Sequence, residues 1–267
     1  MSKSKYEYVK NFEVQSKCIP ETFILVRIDG KGFSKFTTIN GFAKPNDRKA
    51  LDLMNIAANE VCKKFKDIFL AYGQSDEFSF MLGRDTDLYN RRKEKICSTL
   101  VSVFTAVYNI KFEEIMGKKA IGYAIFDGRV VEYPSLKSMK DYFSWRQVDC
   151  HINNLYNTCF WKFVLEEGLS HKKTEKILKD TVSSDKHELL FSKFKLNYSH
   201  EPAIFRKGSL LIRHWKSDPA KLEKYNQLKK EGKIKNLSKP REKLNWNLEH
   251  CDLIQNKFWN QYFPDIN

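Results

Sequence analysis

The stretch FILVRIDGKGFSKF, residues Phe23 to Phe36, decides how this chain is read. Four apolar residues run into Arg27 and Ile28, and Asp29-Gly30 stands where the strand should end. A buried strand that delivers a carboxylate to its carboxyl end, followed by a Gly-rich turn, suits a phosphate or metal site. Such a carboxylate needs a partner, and GQSDEFSFML, Gly73 to Leu82, supplies one. Gly73-Gln74-Ser75-Asp76 has turn chemistry. Phe78, Phe80 and Leu82 then alternate with Glu77, Ser79 and Met81, the pattern of a half-buried strand. With the apolar run Ile68 to Tyr72 before it, this is a hairpin with Asp76 at or near its tip.

Asp29 and Asp76 are therefore expected to meet and hold metal ions, with the Gly30 carbonyl as a further ligand. Magnesium takes hard oxygen ligands and keeps waters, so two aspartates plus substrate phosphates suffice. Two such ions activate an attacking oxygen and neutralise a leaving group. Glu77 is a third carboxylate in reach, though alternation turns it away from Asp76. By spacing alone, a turn-capping Asp29 is the simpler reading. Gly30-Lys31-Gly32 lets backbone N–H groups approach a phosphate, but the ending and spacing of a Walker loop are missing. An ordinary Gly turn satisfies it too.

Outward from this stretch the chain alternates helices and strands. Asn46 or Asp47 caps a helix whose apolar residues recur at Ala50, Leu51, Met54, Ala57, Ala58, Val61 and Phe65. Leu88 to Asn109 is helical, with Ile96, Leu100, Val103, Phe104 and Val107 on one face. Ala120 to Phe126 and Arg129 to Tyr133 are strand material on either side of Asp127-Gly128. The order strand, helix, strand, strand, helix, strand predicts an α+β, ferredoxin-like antiparallel sheet with helices on one face. Helical additions follow. Val148, Ile152, Leu155, Cys159 and Phe163 form one stripe of a helix ending near Gly168, and a shorter helix begins at Ser170. Ser192 to Arg213 reads as a hairpin.

This divides the chain into a sheet domain over 1–135, a helical and hairpin part of the same unit over 136–213, and a basic appendage over 214–267. In the appendage, Asp218-Pro219 opens a helix and Gly232 closes it. Ten Lys or Arg stand against four Asp or Glu between Lys216 and Lys243.

A chain of 267 residues with 20 Phe and 12 Tyr can bury a large core and is not disordered. Its net charge of +14 favours a polyanionic partner such as nucleic acid. The six cysteines form no CxxC pair, so zinc ribbons and redox dithiols are not indicated. The first residues are polar and no apolar run approaches a membrane span, so a cytoplasmic or nuclear protein is expected.

Two further groups of residues bear on function. Arg92 and Lys95 share one helix face, where they reach a phosphate over the sheet or simply belong to a solvated basic face. Lys44, just before the helix entry, has the same two readings. In HINNLYNT, His151 to Thr158, three Asn stand in a helical pattern although Asn is a poor helix former. His151, Asn154 and Thr158 share a face able to hydrogen-bond bases, ribose or phosphate.

Taken in order, RIDGKGFSKF, FAKPND, AYGQSDEFSF, FDGRVVEYPS and HINNLYNTCFW resemble the tRNA-histidine guanylyltransferase family. The match covers about residues 1 to 213. The resemblance implies a polymerase-like palm and two magnesium ions on Asp29, Gly30 and Asp76. It implies nucleotide binding by Asp29, Gly30, Lys31, Gly32, Phe33, Ser34, Ser75 and Asp76, with Lys44, Arg92 and Lys95 as phosphate-contacting cations. His151, Asn153, Asn154, Asn157 and Lys186 fall in segments implicated in tRNA binding. The implied reaction adds a guanylate to the 5′ end of histidine tRNA, using ATP and GTP, in an enzyme that is typically a homotetramer. GQSDEF also resembles the hairpin of diguanylate cyclases, which leaves a nucleotide cyclase as an alternative. A tRNA-binding module without catalysis is another.

Overall fold

The structure, a computed structural model, describes residues 4–216, 227 and 243–263. Six strands form one antiparallel sheet: β1 (Phe23–Gly30), β2 (Ile68–Gln74), β3 (Glu77–Leu82), β4 (Phe126–Tyr133), β5 (Ser209–Lys216) and β6 (Lys243–Glu249). Their spatial order is β4-β1-β3-β2-β5-β6. The helices used below are α1 (Phe33–Ile39), α2 (Arg48–Lys64), α3 (Lys93–Met116), α4 (Leu136–Glu166), α5 (His171–Leu178), α6 (Ser183–Ser192), α7 (Ala203–Lys207) and, near the end of the chain, α8 (Asn256–Tyr262). The first four strands with α2 and α3 are the expected palm-like layer. Among the described residues no helix is long and apolar enough to cross a membrane.

Alternation along β1 sends its side chains to two cores. Ile24, Val26 and Ile28 join Leu53, Ala57 and Val61 of α2 and Leu100 and Phe104 of α3. Phe23 and Leu25 join Met139 and Phe143 of α4 and Phe258 and Trp259 of α8. This two-sided burial explains why FILV is a continuous apolar run rather than an alternating one. Each such side chain contributes about 1.5–3 kcal/mol. A one-residue slip would exchange the two faces and carry Asp29 with them, so the register of the site is fixed by the core. A third cluster lies beyond the sheet, where Leu155, Cys159 and Phe163 of α4 meet Leu178 of α5 and Leu190 of α6.

Several expectations change. β4 runs unbroken through Asp127-Gly128, whereas Ala120 to Ile125 is not strand. Ser192 to Arg213 is not a hairpin; only its end is strand, and β5 pairs with β2 and with β6. The C-terminal stretch expected as an appendage supplies β6 to the sheet and α8 to the second core. The helix expected from Pro219 to Gly232 falls outside the described residues, Gln227 excepted.

On α4, Leu155, Cys159 and Phe163 are buried as expected, but Val148 and Ile152 are exposed. Polar Arg146, Gln147, Asn154 and Thr158 take inward positions. They are tolerated there because partners are waiting. Gln147 donates to the carbonyls of Lys207 and Cys251, each at 2.9 Å, and accepts from the Leu253 N–H at 2.7 Å. Hydropathy alone cannot see those partners.

Candidate active site

β1 pairs with β3 so that Asp29 stands opposite Glu77, and with β4 so that Asp29 stands opposite Asp127. β2 and β3 are joined by Ser75-Asp76 alone, with Gln74 opposite Glu77. Ser75 adopts a left-handed φ of 51°, uncommon for a residue with a side chain. The Gly30 N–H donates to the Asp76 carbonyl at 3.1 Å, which ties the end of β1 to the hairpin tip. A Cβ at Gly30 would lie 2.6 Å from the Phe33 ring and 2.8 Å from Asp76 Oδ2. Only glycine lets that carboxylate pass.

Phe33 explains the rest of the turn. Its ring is buried and meets Phe36, Tyr108 and Phe126 at centroid distances of 5.5, 5.9 and 5.4 Å. Gly32 precedes α1 with φ of 63°, and the Lys31 N–H donates to the Ile125 carbonyl at 2.8 Å. An aromatic anchor inside and hydrogen bonds on both flanks thus hold the Asp29–Phe33 turn against the hairpin.

Burial pushes the Asp76 carboxyl up from its ordinary range, and the charges of Asp29 and Glu77 push the same way. The Ser75 hydroxyl, donating to Asp76 Oδ1 at 3.1 Å, works against this rise. Glu77 lines the cavity beside Asp76 but has a partner of its own. It is nearly buried, and both its oxygens accept from Arg146 of α4 at 3.1 and 3.2 Å. Arg146 also reaches Asp149 at 3.4 Å and lies 3.6 Å from the centre of the Trp145 ring. Ser79, two residues on, shares a 2.6 Å hydrogen bond with the Tyr142 hydroxyl. α4 is therefore clamped to β3, the strand that follows Asp76.

Between these elements lies a cavity of about 530 Å³, within the range of small-ligand sites. Ser34 and Lys44 line it from the α1 side, Ser75 and Asp76 from the hairpin, and Asn153, Asn154 and Asn157 from α4. With Phe33, eight sequence-predicted residues thus converge on one space, while Asp29, Gly30, Lys31 and Gly32 do not line it. Asn46, Asp47, Asp149 and Trp161 also line it and were not singled out for binding. A hydrogen-bond chain crosses it: Asn46 donates to Asn154 at 2.9 Å, and Asn154 donates to the Tyr198 hydroxyl at 2.8 Å. Asn154 is accordingly buried and occupied.

Other candidates lie elsewhere. Arg92 donates to the Tyr89 carbonyl at 3.2 Å and Lys95 sits 5.0 Å from the Tyr89 ring centre; neither lines the cavity. Their neighbour Arg91 staples loops by donating to carbonyls of Cys18, Ile19, Thr22, Arg84 and Thr86. Lys186 is buried and donates to the Thr181 carbonyl and hydroxyl at 2.8 and 2.7 Å. His151 is half-buried, 6.2 Å from the His187 ring and 5.5 Å from Tyr198. Burial, and then His187, lower its pKa.

Comparison with known proteins places this geometry. Residues 6–134 match the family described as tRNAHis guanylyltransferase, and residues 137–255 match its Thg1 C terminal domain. The tRNA(His) guanylyltransferase of Schizosaccharomyces pombe is 46% identical over 97% of this chain and 96% of its own length. The probable tRNA(His) guanylyltransferase of Dictyostelium discoideum is 45% identical over 100% of this chain and 98% of its own. The crystal structure of the Saccharomyces cerevisiae enzyme superposes with a TM-score of 0.76 at 46% identity, covering 78% of this chain and 93% of that one. A bacterial guanylyltransferase-like protein solved in complex with ATP shares the fold, with a TM-score of 0.74 at 21% identity over 99% of both chains. The chain belongs to the tRNA(His) guanylyltransferase family.

Proposed function

We propose that this protein adds a guanylate to the 5′ end of histidine tRNA, in the 3′-to-5′ direction, with ATP as activator and GTP as donor. One observation carries the reading: β1 and the hairpin are locked through Gly30 and Asp76, which sets Asp76 in the lining of a nucleotide-sized cavity with Asp29 near enough for its charge to act on Asp76. The full-length relatives support the substrate, and the bacterial fold relatives, solved with ATP and with GTP, support the nucleotides.

The residues fit magnesium. Asp76 is desolvated beside two further carboxylates, a charge that a cation relieves. Glu77 is committed to Arg146, and among the described residues no group of three or more His, Cys, Asp or Glu could hold a metal unaided. Two aspartates and the Gly30 carbonyl leave positions for water and substrate phosphates, as magnesium prefers. When bound, two such ions supply charge neutralisation at phosphorus and an activated attacking oxygen.

Three steps follow. A 5′-phosphate oxygen of the tRNA attacks the α-phosphorus of ATP and displaces pyrophosphate. The 3′-hydroxyl of GTP attacks the activated 5′-phosphorus and displaces AMP. Water then attacks the α-phosphorus of the new 5′-triphosphate, releasing pyrophosphate and leaving a 5′-monophosphate. The Gly32–Ser34 part of the turn offers backbone N–H groups to phosphate, and Lys44 brings positive charge to the cavity. Arg92 and Lys95, outside it, act on phosphate from further away. Exposed Asn153 and Asn157 and half-buried His151 present polar groups to RNA. Asn154 and Lys186 support that surface from beneath. One tRNA must present both its 5′ end and its identity elements, which a homotetramer accommodates by sharing them between subunits.

The test is incubation with histidine tRNA lacking the extra guanylate, labelled GTP, ATP and magnesium. ATP-dependent label at the tRNA 5′ end is expected. A cyclic nucleotide formed without tRNA, or tRNA binding without transfer, would replace this reading.

A further inference from the structure

The α4 wall of the cavity has a composition that its packing does not require. Asp149, Asn153, Asn157 and Trp161 line the cavity at intervals of four residues. They form one stripe about 18 Å long at 1.5 Å per residue. Asp149 belongs to the hairpin end through Arg146. Asn154, one position off the stripe, is buried and hydrogen-bonded on both sides. Asn153 and Asn157 differ from it: both are exposed, and neither side chain makes a hydrogen bond among the described residues.

Trp161 ends the stripe. It packs against the third core cluster and also lines the cavity, so it is backed by protein and open to the cavity. Phe160 and His171 meet it near-perpendicularly, at 80° and 83° with centroids 5.5 and 5.6 Å away. No ring is stacked parallel on the indole among the described residues. The Lys44 ammonium lies over it, 5.7 Å from the ring centre. A braced indole stacks any base, and exposed amides complement ribose hydroxyls and base edges.

Building on the proposed function, we infer that Asn153, Asn157 and Trp161 form a nucleobase platform. Trp161 stacks the base, and Asn157 and Asn153 hydrogen-bond its edge or ribose, while the phosphates run toward Ser75 and Asp76. Lys44 then serves the base end of the cavity rather than the metal end. The base comes either from a free nucleoside triphosphate or from the 5′-terminal nucleotide of the tRNA.

The experiment measures equilibrium binding to wild type, Trp161→Ala, Trp161→Phe and Asn157→Ala, each checked for an unchanged melting temperature. The probes are ATP, GTP, histidine tRNA with and without its 5′-terminal nucleotide, and inorganic tripolyphosphate as a probe without a base. Trp161→Ala should weaken base-bearing probes by about 5- to 150-fold, the effect of losing one stacked base. Trp161→Phe should stay within about 3-fold, and tripolyphosphate should be unaffected. A loss confined to ATP or GTP assigns the platform to free nucleotide. A loss seen with tRNA only while its terminal nucleotide is present assigns it to the RNA.

Unchanged binding of every probe to Trp161→Ala overturns the platform, as does an equal loss of tripolyphosphate or an equal loss in Trp161→Phe. If Trp161→Ala does not fold, Asn157→Ala decides: a loss of about 3-fold or more limited to base-bearing probes supports the platform, and no loss refutes it. None of these arms needs transfer. A wild-type protein that failed to add guanylate would overturn the proposed function and leave this result standing.

Discussion

The two sides of the cavity are built from opposite materials. The sheet side is charged and made tight by backbone: Asp76 lines the cavity from a two-residue turn, Asp29 ends the adjoining strand near enough for its charge to act on Asp76, and the glycine after it has no room for a Cβ. The α4 side is mostly neutral and made of long side chains on one helix, with amides, an indole and a single carboxylate. A backbone-held site tolerates no change in geometry, whereas a side-chain wall can lose one group and keep its shape. Chemistry belongs on the first side and recognition on the second, and substitutions should separate them.

The largest contrast is expected in activity. Asp29→Ala or Asp76→Ala should lower guanylate transfer by at least about 10³-fold in single-turnover assays while the fold survives, as befits loss of a group that stabilises developing charge. Gly30→Ala should approach the same loss, because its Cβ must displace the Phe33 ring or the Asp76 carboxylate. Substitutions on the α4 wall, such as Asn153→Ala, should chiefly change substrate affinity. Normal magnesium-dependent transfer by either aspartate variant would erase the distinction.

The next effect falls where the two sides are joined. Arg146→Met leaves Glu77 buried without its cation, and breaking a buried pair this way costs about 3–5 kcal/mol. Combining it with Glu77→Gln removes the stranded charge and should recover much of that stability in denaturant unfolding. A double variant no more stable than Arg146→Met would mean that the clamp acts by packing, for instance against Trp145, rather than by charge.

How legible each side was follows from the same difference. Asp29 and Asp76 could be read because alternation and turn chemistry are local, within a dozen residues of each other in each strand unit. The α4 side could be read only in part: the Asn153, Asn154 and Asn157 run stands out in a helix, but the roles of Arg146, Asp149 and Trp161 do not, because the inward residues of α4 are polar and their partners are remote. Arg146 meets Glu77 from 69 positions away, and Asn154 meets Asn46 from 108. Asn154 was singled out for its unfavourable helix propensity, and the signal was real, but its cause is a buried hydrogen-bond chain. Lys186 was chosen by motif and is held by Thr181. β6 was hidden by the basic run before it, although KLNWNLE alternates Leu244, Trp246 and Leu248 as a strand should.

A smaller effect tests the chain that crosses the cavity. Asn154→Ala removes an acceptor from Asn46 and a donor to Tyr198, whose burial already pushes its hydroxyl up to about 12. Stranding such groups costs about 1–3 kcal/mol. Unfolding should show that loss, while transfer at saturating substrate changes little. A collapse of transfer with stability intact would place Asn154 on the chemical side instead.

The smallest effect has the opposite sign. Asp76 is a carboxyl whose pKa is raised by burial first and by neighbouring negative charge after it. In the folded, metal-free protein its ionised form is therefore disfavoured. Its stabilising contribution is complete below the unfolded-state value near 3.8 and is lost as pH rises through the raised folded-state value. At pH 7 in EDTA, Asp76→Asn should consequently raise the melting temperature, by about 2–4 °C for each kcal/mol relieved in a chain of this size. The gain should shrink as pH falls toward 4, where wild-type Asp76 is protonated as well. Magnesium should stabilise wild type and leave the variant largely unmoved. The α4 wall offers no equivalent: replacing exposed Asn157 relieves no charge and should not raise the melting temperature. A lowered melting temperature for Asp76→Asn would show that the hairpin needs its carboxylate for structure, and the division between a charged side kept for chemistry and a neutral side kept for recognition would fail at its central residue.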